Sequence, residues 1–369
     1  LLAYEQPTKY LVSSKDYDDS YPTPVLTAGK TFILGYTNET EGIYPASEEE
    51  PVIIFDDFTT AFKWVEFPFK AKSSAMKMLT LKSGTNSLFK YVYYAMQCIV
   101  YNSSDHARQW ISKYSNIEVP VPPLEIQEAI VEILDKFTNL EAELEAELEA
   151  RTLQYEYYRD SLFEALDCPR VPLGSFAQLV RGSGMPKTDF SESGVGAIHY
   201  GQIYTKFGTA TAEVIAHVPE EKAKKLAVVN PGDVIVANTS ENLEDVCKAV
   251  AWVGDSDIVT GGHATVIKAP EQNAKFISYY MATGQFNKDK RRHAFGTKVI
   301  DVAPKNLAKI EFPLPPLEEQ QRIVDILDHF DALTSSLSEG LPAELAARRS
   351  QYEYYRDQLL SFPRKGENQ

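Results

Sequence analysis

PVPPLEIQEAIVEILDKF at residues 120–137 returns as PLPPLEEQQRIVDILDHF at 313–330, an offset of 193. QYEYYRD at 154–160 returns at 351–357, now at an offset of 197. The second copy therefore carries four extra residues between Leu333 and Gln351, close to one helical turn. A duplication at this separation organises the chain as domain, repeat, domain, repeat. Its segments are 1–120, 121–166, 167–313 and 314–363, with a tail over 364–369.

Each repeat has the periodicity of one long helix. Ile130, Leu134, Phe137, Leu140, Leu144, Leu148, Tyr155, Tyr158 and Leu162 recur at steps of three and four, with Arg151 filling the one gap. Ile323, Leu327, Phe330, Leu333, Leu337, Leu341, Leu345, Tyr352, Tyr355 and Leu359 do the same, with Arg348 in the matching place. Pro122-Pro123 and Pro315-Pro316 force extended backbone just ahead and so fix where each helix begins. About forty helical residues span roughly 60 Å, and a single apolar stripe of that length must be covered. The nearest matching stripe is the other repeat, so the expectation is an antiparallel, coiled-coil-like rod with an approximate two-fold axis. Gly340 and Pro342 predict a bend or stagger where the extra turn is absorbed. Gln127 and Gln320, residues of exposed type, are repeated along with the apolar ones.

LEAELEAELEAR at 140–151 has a four-residue unit. Its leucines advance about 40° around the helix per unit, a slowly drifting stripe that a paired helix can follow for a few turns. Its glutamates form a solvated face. Gaining or losing one unit changes the rod by about one turn without disturbing its pattern.

Between the repeats lie two mixed α/β domains. In residues 1–120, β-type runs such as Thr31-Phe32-Ile33-Leu34 and Val52-Ile53-Ile54-Phe55 precede a helical stretch over Leu88 to Val100. In residues 167–313, Asn230-Pro231-Gly232-Asp233 makes a turn into Val234-Ile235-Val236-Ala237, and a helical stretch lies near Phe276 to Asn287. With 44% hydrophobic and 11% aromatic residues, 369 residues can build more than one core.

The formal charge of −15 is unevenly distributed. Basic against acidic residues number 11 to 14 in the first domain, 3 to 12 in the first repeat, 17 to 16 in the second domain and 6 to 10 beyond it. The repeats therefore carry most of the acidity, and near-neutral domains can still present basic faces. Lys288, Lys290, Arg291 and Arg292, beside His293 and followed by Lys298, form the densest cationic group. Lys70, Lys72, Lys77 and Lys82 form a looser one. The segments His199-Tyr200-Gly201-Gln202-Ile203-Tyr204 and Gly261-Gly262-His263 have the composition of polar turns able to meet base edges. Candidate DNA contacts are thus Lys30, Tyr36, Lys72 and Lys77 in the first domain, and His199, Tyr200, Gln202, Tyr204, Lys288, Lys290, Arg291, Arg292 and Lys298 in the second.

Several chemistries have no foothold. The sequence lacks an Asn-Pro-Pro-Tyr or Asn-Pro-Pro-Phe methyltransferase signature, and Gly29-Lys30-Thr31 lacks the earlier glycine of a phosphate loop, where Pro24 stands. Cys98, Cys168 and Cys247 include no Cys-x-x-Cys pair and are expected to be core thiols of a reducing compartment. The six histidines are scattered, so no metal site is expected. With no run of eighteen apolar residues and no secretory leader pattern, the expected location is the cytoplasm, away from membranes.

The paired PLPPLEEQ and QYEYYRD motifs, SEGLPAEL at 338–345 and the LEAE units resemble the specificity subunits, HsdS, of type I restriction-modification systems. So do TPVLTAGKTFILGYTN at 23–38, HYGQIY at 199–204 and NPGDVIVANTS at 230–240, which look like parts of target-recognition domains. A segment like Val171-Pro172-Leu173-Gly174-Ser175, which often opens such domains, has no counterpart before the first one. The resemblance implies two target-recognition domains, each reading one half of a split, asymmetric site in double-stranded DNA, with the helices setting the gap. It implies two methyltransferase subunits gripping the rod, here through Leu140, Leu144, Leu148, Tyr155, Tyr158, Leu333, Leu337, Tyr352 and Tyr355. S-adenosylmethionine would come with those partners, and ATP-dependent restriction subunits could join. A scaffold joining two protein-binding domains, or a methyltransferase in its own right, are the alternatives; specific retention of a two-part duplex removes the first, and methyl transfer by the lone chain would revive the second.

Overall fold

In a computed structural model, residues 1–29, 31–101, 108–111, 113–334 and 340–362 are described. Each domain is built on a strand buried on both faces. In Val52–Asp56, Val52 and Ile54 pack with Leu26, Phe69, Met76 and Met78, while Ile53 and Phe55 point the other way, into Tyr91, Tyr94, Ala95 and Trp110. Alternation of side chains along a strand forces this division, and it explains an uninterrupted apolar run where a half-exposed strand would alternate. Val52–Asp56 lies between Met76–Leu81 and Phe62–Val65 in a four-stranded antiparallel sheet whose other edge is Leu2–Glu5. A second sheet joins Ile33–Thr37, Thr23–Leu26 and Lys70–Ala71. Helix α1 (Phe89–Gln97) covers the first sheet.

In the second domain Val234–Ala237 has the equivalent place. Val234 and Val236 face the cluster of Phe276, Tyr279 and Tyr280, and Ile235 and Ala237 face Ile198, Ile203 and Val250. It is central in a five-stranded sheet between Ala249–Trp252 and Ala264–Lys268, beside a four-stranded sheet that holds Val195–Ile198 and Ile258–Thr260. The helices in chain order are α2 (Leu124–Glu164), α3 (Tyr200–Thr205), α4 (Glu220–Ala223), α5 (Ala274–Met281), α6 (Gly284–Arg291), α7 (Pro304–Leu307), α8 (Leu317–Thr334) and α9 (Gly340–Leu359). The single helix expected near Phe276 to Asn287 is two, because the Thr283 hydroxyl accepts from the Phe286 N–H at 3.2 Å and starts a new helix.

The first repeat is one helix of 41 residues, as its periodicity predicts. The second is not one helix: α8 and α9 have 18 and 20 residues, and the four extra residues fall around the break. Gly340 opens α9 at φ +73, and a Cβ there would meet the Ala332 and Leu333 carbonyl oxygens at 2.6 Å. None of the described helices is long and apolar enough to cross a membrane.

The compact units cut through the repeats: one is Leu1–Ala142 with Arg348–Gln369, the other Glu143–Ala347. Each unit holds a domain, the start of the repeat that follows it, and the end of the other repeat. In the first, Phe137 stacks on Tyr355 with centroids 5.5 Å apart, and Glu141 pairs with Arg349 at 2.6 Å, so the two segments run antiparallel. In the second, Tyr158 stacks on Phe330 at 5.7 Å, the same two repeat positions with their roles exchanged between copies.

The docking of helix to domain is duplicated in its main bonds. The Gln127 carbonyl oxygen accepts from the Leu88 N–H and the Ser87 hydroxyl, both at 2.9 Å, and its amide donates to the Pro122 carbonyl at 2.7 Å. The Gln320 carbonyl oxygen accepts from the Asn273 N–H at 3.0 Å, and its amide donates to the Gln272 side chain at 2.7 Å and the Pro315 carbonyl at 2.9 Å. Both glutamines are fully buried, which corrects their reading as exposed-type residues. They satisfy the first free N–H of the domain helix and a carbonyl at the Pro-Pro turn together. About two turns on, Asp135 accepts from the Tyr94 hydroxyl beside Lys90, and Asp328 accepts from the Tyr279 hydroxyl at 2.7 Å and pairs with Lys275 at 2.7 Å.

Candidate nucleic-acid interface

In the second domain a contiguous face is assembled from loops that sequence separates widely. The turn between Ile258–Thr260 and Ala264–Lys268 places His263 at φ +67, a left-handed conformation that non-glycine residues seldom hold. It is fixed from two sides: its carbonyl accepts from the Asn238 N–H at 2.7 Å, and its Nδ1 lies 3.1 Å from the Thr239 hydroxyl. The exposed imidazole lies 5.1 Å from the Tyr200 ring, which in turn is 4.4 Å from His199. Segment 181–185 crosses the turn so closely that a Cβ on Gly182 would stand 1.9 Å from the Gly261 carbonyl oxygen. From Thr239 the face continues through strand pairing: Thr239 lies opposite Asp301, Ser240 opposite Ile300, and Asp301 opposite Phe295. Lys288, Arg291, Arg292 and Lys298, on α6 and the segment after it, are exposed.

The sequence-derived candidates divide sharply on this geometry. His199 caps the start of α3 and Gln202 and Tyr204 lie within it, so these residues form a helix start rather than a turn and hold it in place. The His199 Nδ1 accepts from the Gly201 N–H at 3.1 Å, the Gln202 carbonyl oxygen accepts from the His199 N–H at 2.8 Å, and the Tyr204 hydroxyl donates to the Thr239 carbonyl at 2.7 Å. Burial lowers the His199 pKa, with Lys187 and His263 adding to it, so the ring suits a neutral capping acceptor. Tyr200 alone of these four lies against His263. Lys290 is 2% exposed and donates to the Glu244 and Val246 carbonyls at 2.7 and 2.8 Å, tying a loop to α6; it is no phosphate contact.

The looser cluster of the first domain is likewise not a surface cluster. Lys77 is fully buried against Asp57 at 3.1 Å and the Gln6 side chain at 3.0 Å, because a buried charge must be paired. Lys70 is buried against Glu39 at 2.7 Å. Lys72 is half-buried and donates to the Tyr17 hydroxyl at 2.9 Å, Tyr36 is half-buried on Ile33–Thr37, and Lys82 is exposed. Lys30 lies outside the described residues. Sequence reasoning passed over Phe295 and weighed His263 only as part of a turn; the signal for both was a glycine beside a large side chain.

On the repeats, Tyr155 and Tyr352 are buried in the two domain cores, while the neighbouring Tyr157 and Tyr354 are 69% and 62% exposed. Tyr158 and Tyr355 are partly exposed, Leu140, Leu144 and Leu148 half-buried, and Leu333 38% exposed. Leu337 lies outside the described residues. Of the cysteines, Cys247 is buried, its thiol pushed up to about 12 by burial, whereas Cys98 and Cys168 are half-buried rather than core.

Comparison with known proteins fits this duplicated architecture. The type I restriction modification DNA specificity domain matches residues 7–150 and again 169–347. The specificity subunit of the Escherichia coli type I restriction enzyme EcoR124I/EcoR124II is 45% identical over 383 residues, covering 98% of this chain and 92% of that protein. Two solved structures share the fold at low identity. The S subunit of a type I restriction-modification system from M. genitalium has a TM-score of 0.55 at 12% identity, with 98% of this chain and 97% of that one covered. A chain from work on complex assembly and conformational transition of the type I R-M system has a TM-score of 0.54 at 15% identity, covering 97% and 96%. Two domain matches on a duplicated frame, and a relative close to half identical end to end, give one conclusion: this chain belongs to the specificity subunits of type I restriction-modification systems.

Proposed function

We propose that each α/β domain reads one half of a two-part, asymmetric site in double-stranded DNA, that the paired repeat segments set the gap, and that the chain itself performs no chemistry. The observation that carries this reading is the duplication of the main docking bonds between repeat and domain, at Gln127 and Gln320 and at Asp135 and Asp328, beneath domains whose loops differ. Equal mounting with unequal loops is what two independent reading heads on one frame require. The same duplication bears on partners. Tyr157 with Tyr158, and Tyr354 with Tyr355, form equivalent exposed aromatic pairs, and two equivalent surfaces suit two copies of one partner. We assign that partner as the methyltransferase subunit, which brings S-adenosylmethionine, with ATP-dependent restriction subunits joining the complex so formed. The chain is placed in the cytoplasm, where its DNA lies.

Mapping methylated adenines in a genome expressing this chain with its methyltransferase partner tests the proposal. The expected motif has two short specified halves around a fixed unspecified gap, and the purified chain alone transfers no methyl group. A continuous motif, or methylation by the lone chain, would overturn it.

A further inference from the structure

Phe295 and Val299 are 65% and 58% exposed on the short hairpin that precedes Asp301. A single exposed apolar residue is ordinary. This one is held rigidly: the Phe295 N–H donates to the Asp301 carbonyl at 3.0 Å, and the Asp301 N–H donates back to the Phe295 carbonyl at 2.8 Å. Gly296 turns the chain at φ +115, where a Cβ would lie 2.0 Å from the Val299 carbonyl oxygen, so the bend admits only glycine. The base of the hairpin is anchored by the buried Asn238, whose side-chain amide donates to the Val302 carbonyl at 2.7 Å while its own carbonyl accepts from the Val302 N–H at 3.0 Å.

The surroundings of this tip identify its partner. Between Lys288 and Lys298 the sequence has a single acidic residue, Asp289, which pairs with Arg292 at 3.3 Å. Lys288, Arg291, Arg292 and Lys298 are all exposed. Exposed cations on α6 and on the hairpin itself, lying before and after an exposed apolar residue in the chain, fit a polyanion with an apolar interior accessible between its stacked layers, which is duplex DNA. Through Asp301 and Thr239 the tip is also continuous with the His263–Tyr200 face.

The geometry points to Phe295 as an apolar wedge that enters between base pairs of the half-site facing the second domain, with the exposed cations of α6 and Lys298 on flanking phosphates. This rests on the DNA-reading function proposed above and adds a mode of selection to it. A wedge favours steps that unstack at low cost, so part of the specificity in this half is read as deformability rather than through base edges.

The test uses the complex of this chain with its methyltransferase subunit and duplexes of the mapped site carrying 2-aminopurine at successive positions of each half. For the wild type, leaving aside the adenines that are methylated and therefore flipped out by the partner, emission should rise on binding at one further position in one half only. Phe295→Ala should abolish that rise and weaken binding about tenfold with an unchanged salt slope, and Phe295→Trp should restore both. Arg291→Ala with Arg292→Ala should lower the salt slope by about 2 and keep the rise. No brightening away from the methylated adenines in the wild type, or wild-type emission and affinity in Phe295→Ala, would overturn the wedge while leaving specific binding intact. A loss of affinity that merely follows reduced methyltransferase assembly would also overturn it, making the tip a protein contact. If the wild-type complex shows no preference for its mapped duplex, the DNA-reading function itself fails.

Discussion

Glu39 and Lys70 show how residue type alone misleads and how burial restores the physics. Lys70 donates from 2.7 Å, and the Ser13 and Ser14 N–H groups add bonds of 2.8 and 2.9 Å to the same carboxylate. The Lys70 hydrogen bond is the main cause that holds the Glu39 carboxyl at about 2, well below its ordinary 4.5. A depressed carboxyl contributes stability that is present above 4.5 and lost as pH falls from there towards about 2. Glu39→Gln should therefore cost about 1–2 kcal/mol at pH 7, a value reduced for partial solvation of the pair. In denaturant titrations the difference from wild type should shrink steadily between pH 5 and 3; a pH-independent difference would contradict this account. Two buried lysines were legible in principle. Lys77 lies between Met76 and Met78 in a strand covered on both faces, and Lys290 stands four residues after the buried Phe286, on the same helical face. Clustered charge alone does not distinguish such lysines from surface ones; periodicity does.

At the scale of elements, the repeat and its helical period were plain, and so were the two strands buried on both faces. What sequence hid was which repeated residues are structural: Gln127 and Gln320 look solvated and are buried anchors. The break between α8 and α9 was legible only as Gly340, Pro342 and four surplus residues. The reading loops were least legible, since exposed loops carry no period and their contacts join residues 239, 263 and 301. The uninterrupted α2 makes a sharper prediction. Deleting Leu144 to Glu147, one four-residue unit, shortens the helix by about 6 Å and rotates its ends by about 40° relative to each other. B-DNA rises about 3.4 Å and turns about 34–36° per base pair, so translation alone suggests nearly two base pairs and rotation one. Rotation should dominate, because a domain on the wrong side of the duplex loses its groove, whereas a few ångströms are absorbed by tilt or bending. Methylation mapping of the deletion should show unchanged halves and a gap shorter by one base pair; an unchanged gap would mean that this helix does not set spacing.

For the whole molecule, the sequence segments and the compact units differ in an instructive way. Sequence divides the chain where composition changes, at residues 120, 166 and 313, whereas packing divides it within the repeats, at Ala142 and Arg348. Each domain core takes in a helix start and a helix end, so a domain is exchangeable only if its side of that docking is kept. In the second unit this means Asn273, Lys275 and Tyr279, which meet Gln320 and Asp328. The most direct measurement is therefore a methylation map of a chain in which residues 167–313 are replaced by a domain of different specificity that retains those three residues. The account predicts that one half of the recognised site changes while the other half and the gap stay as they were. A change in both halves would contradict it, because the two domains would then not read DNA independently.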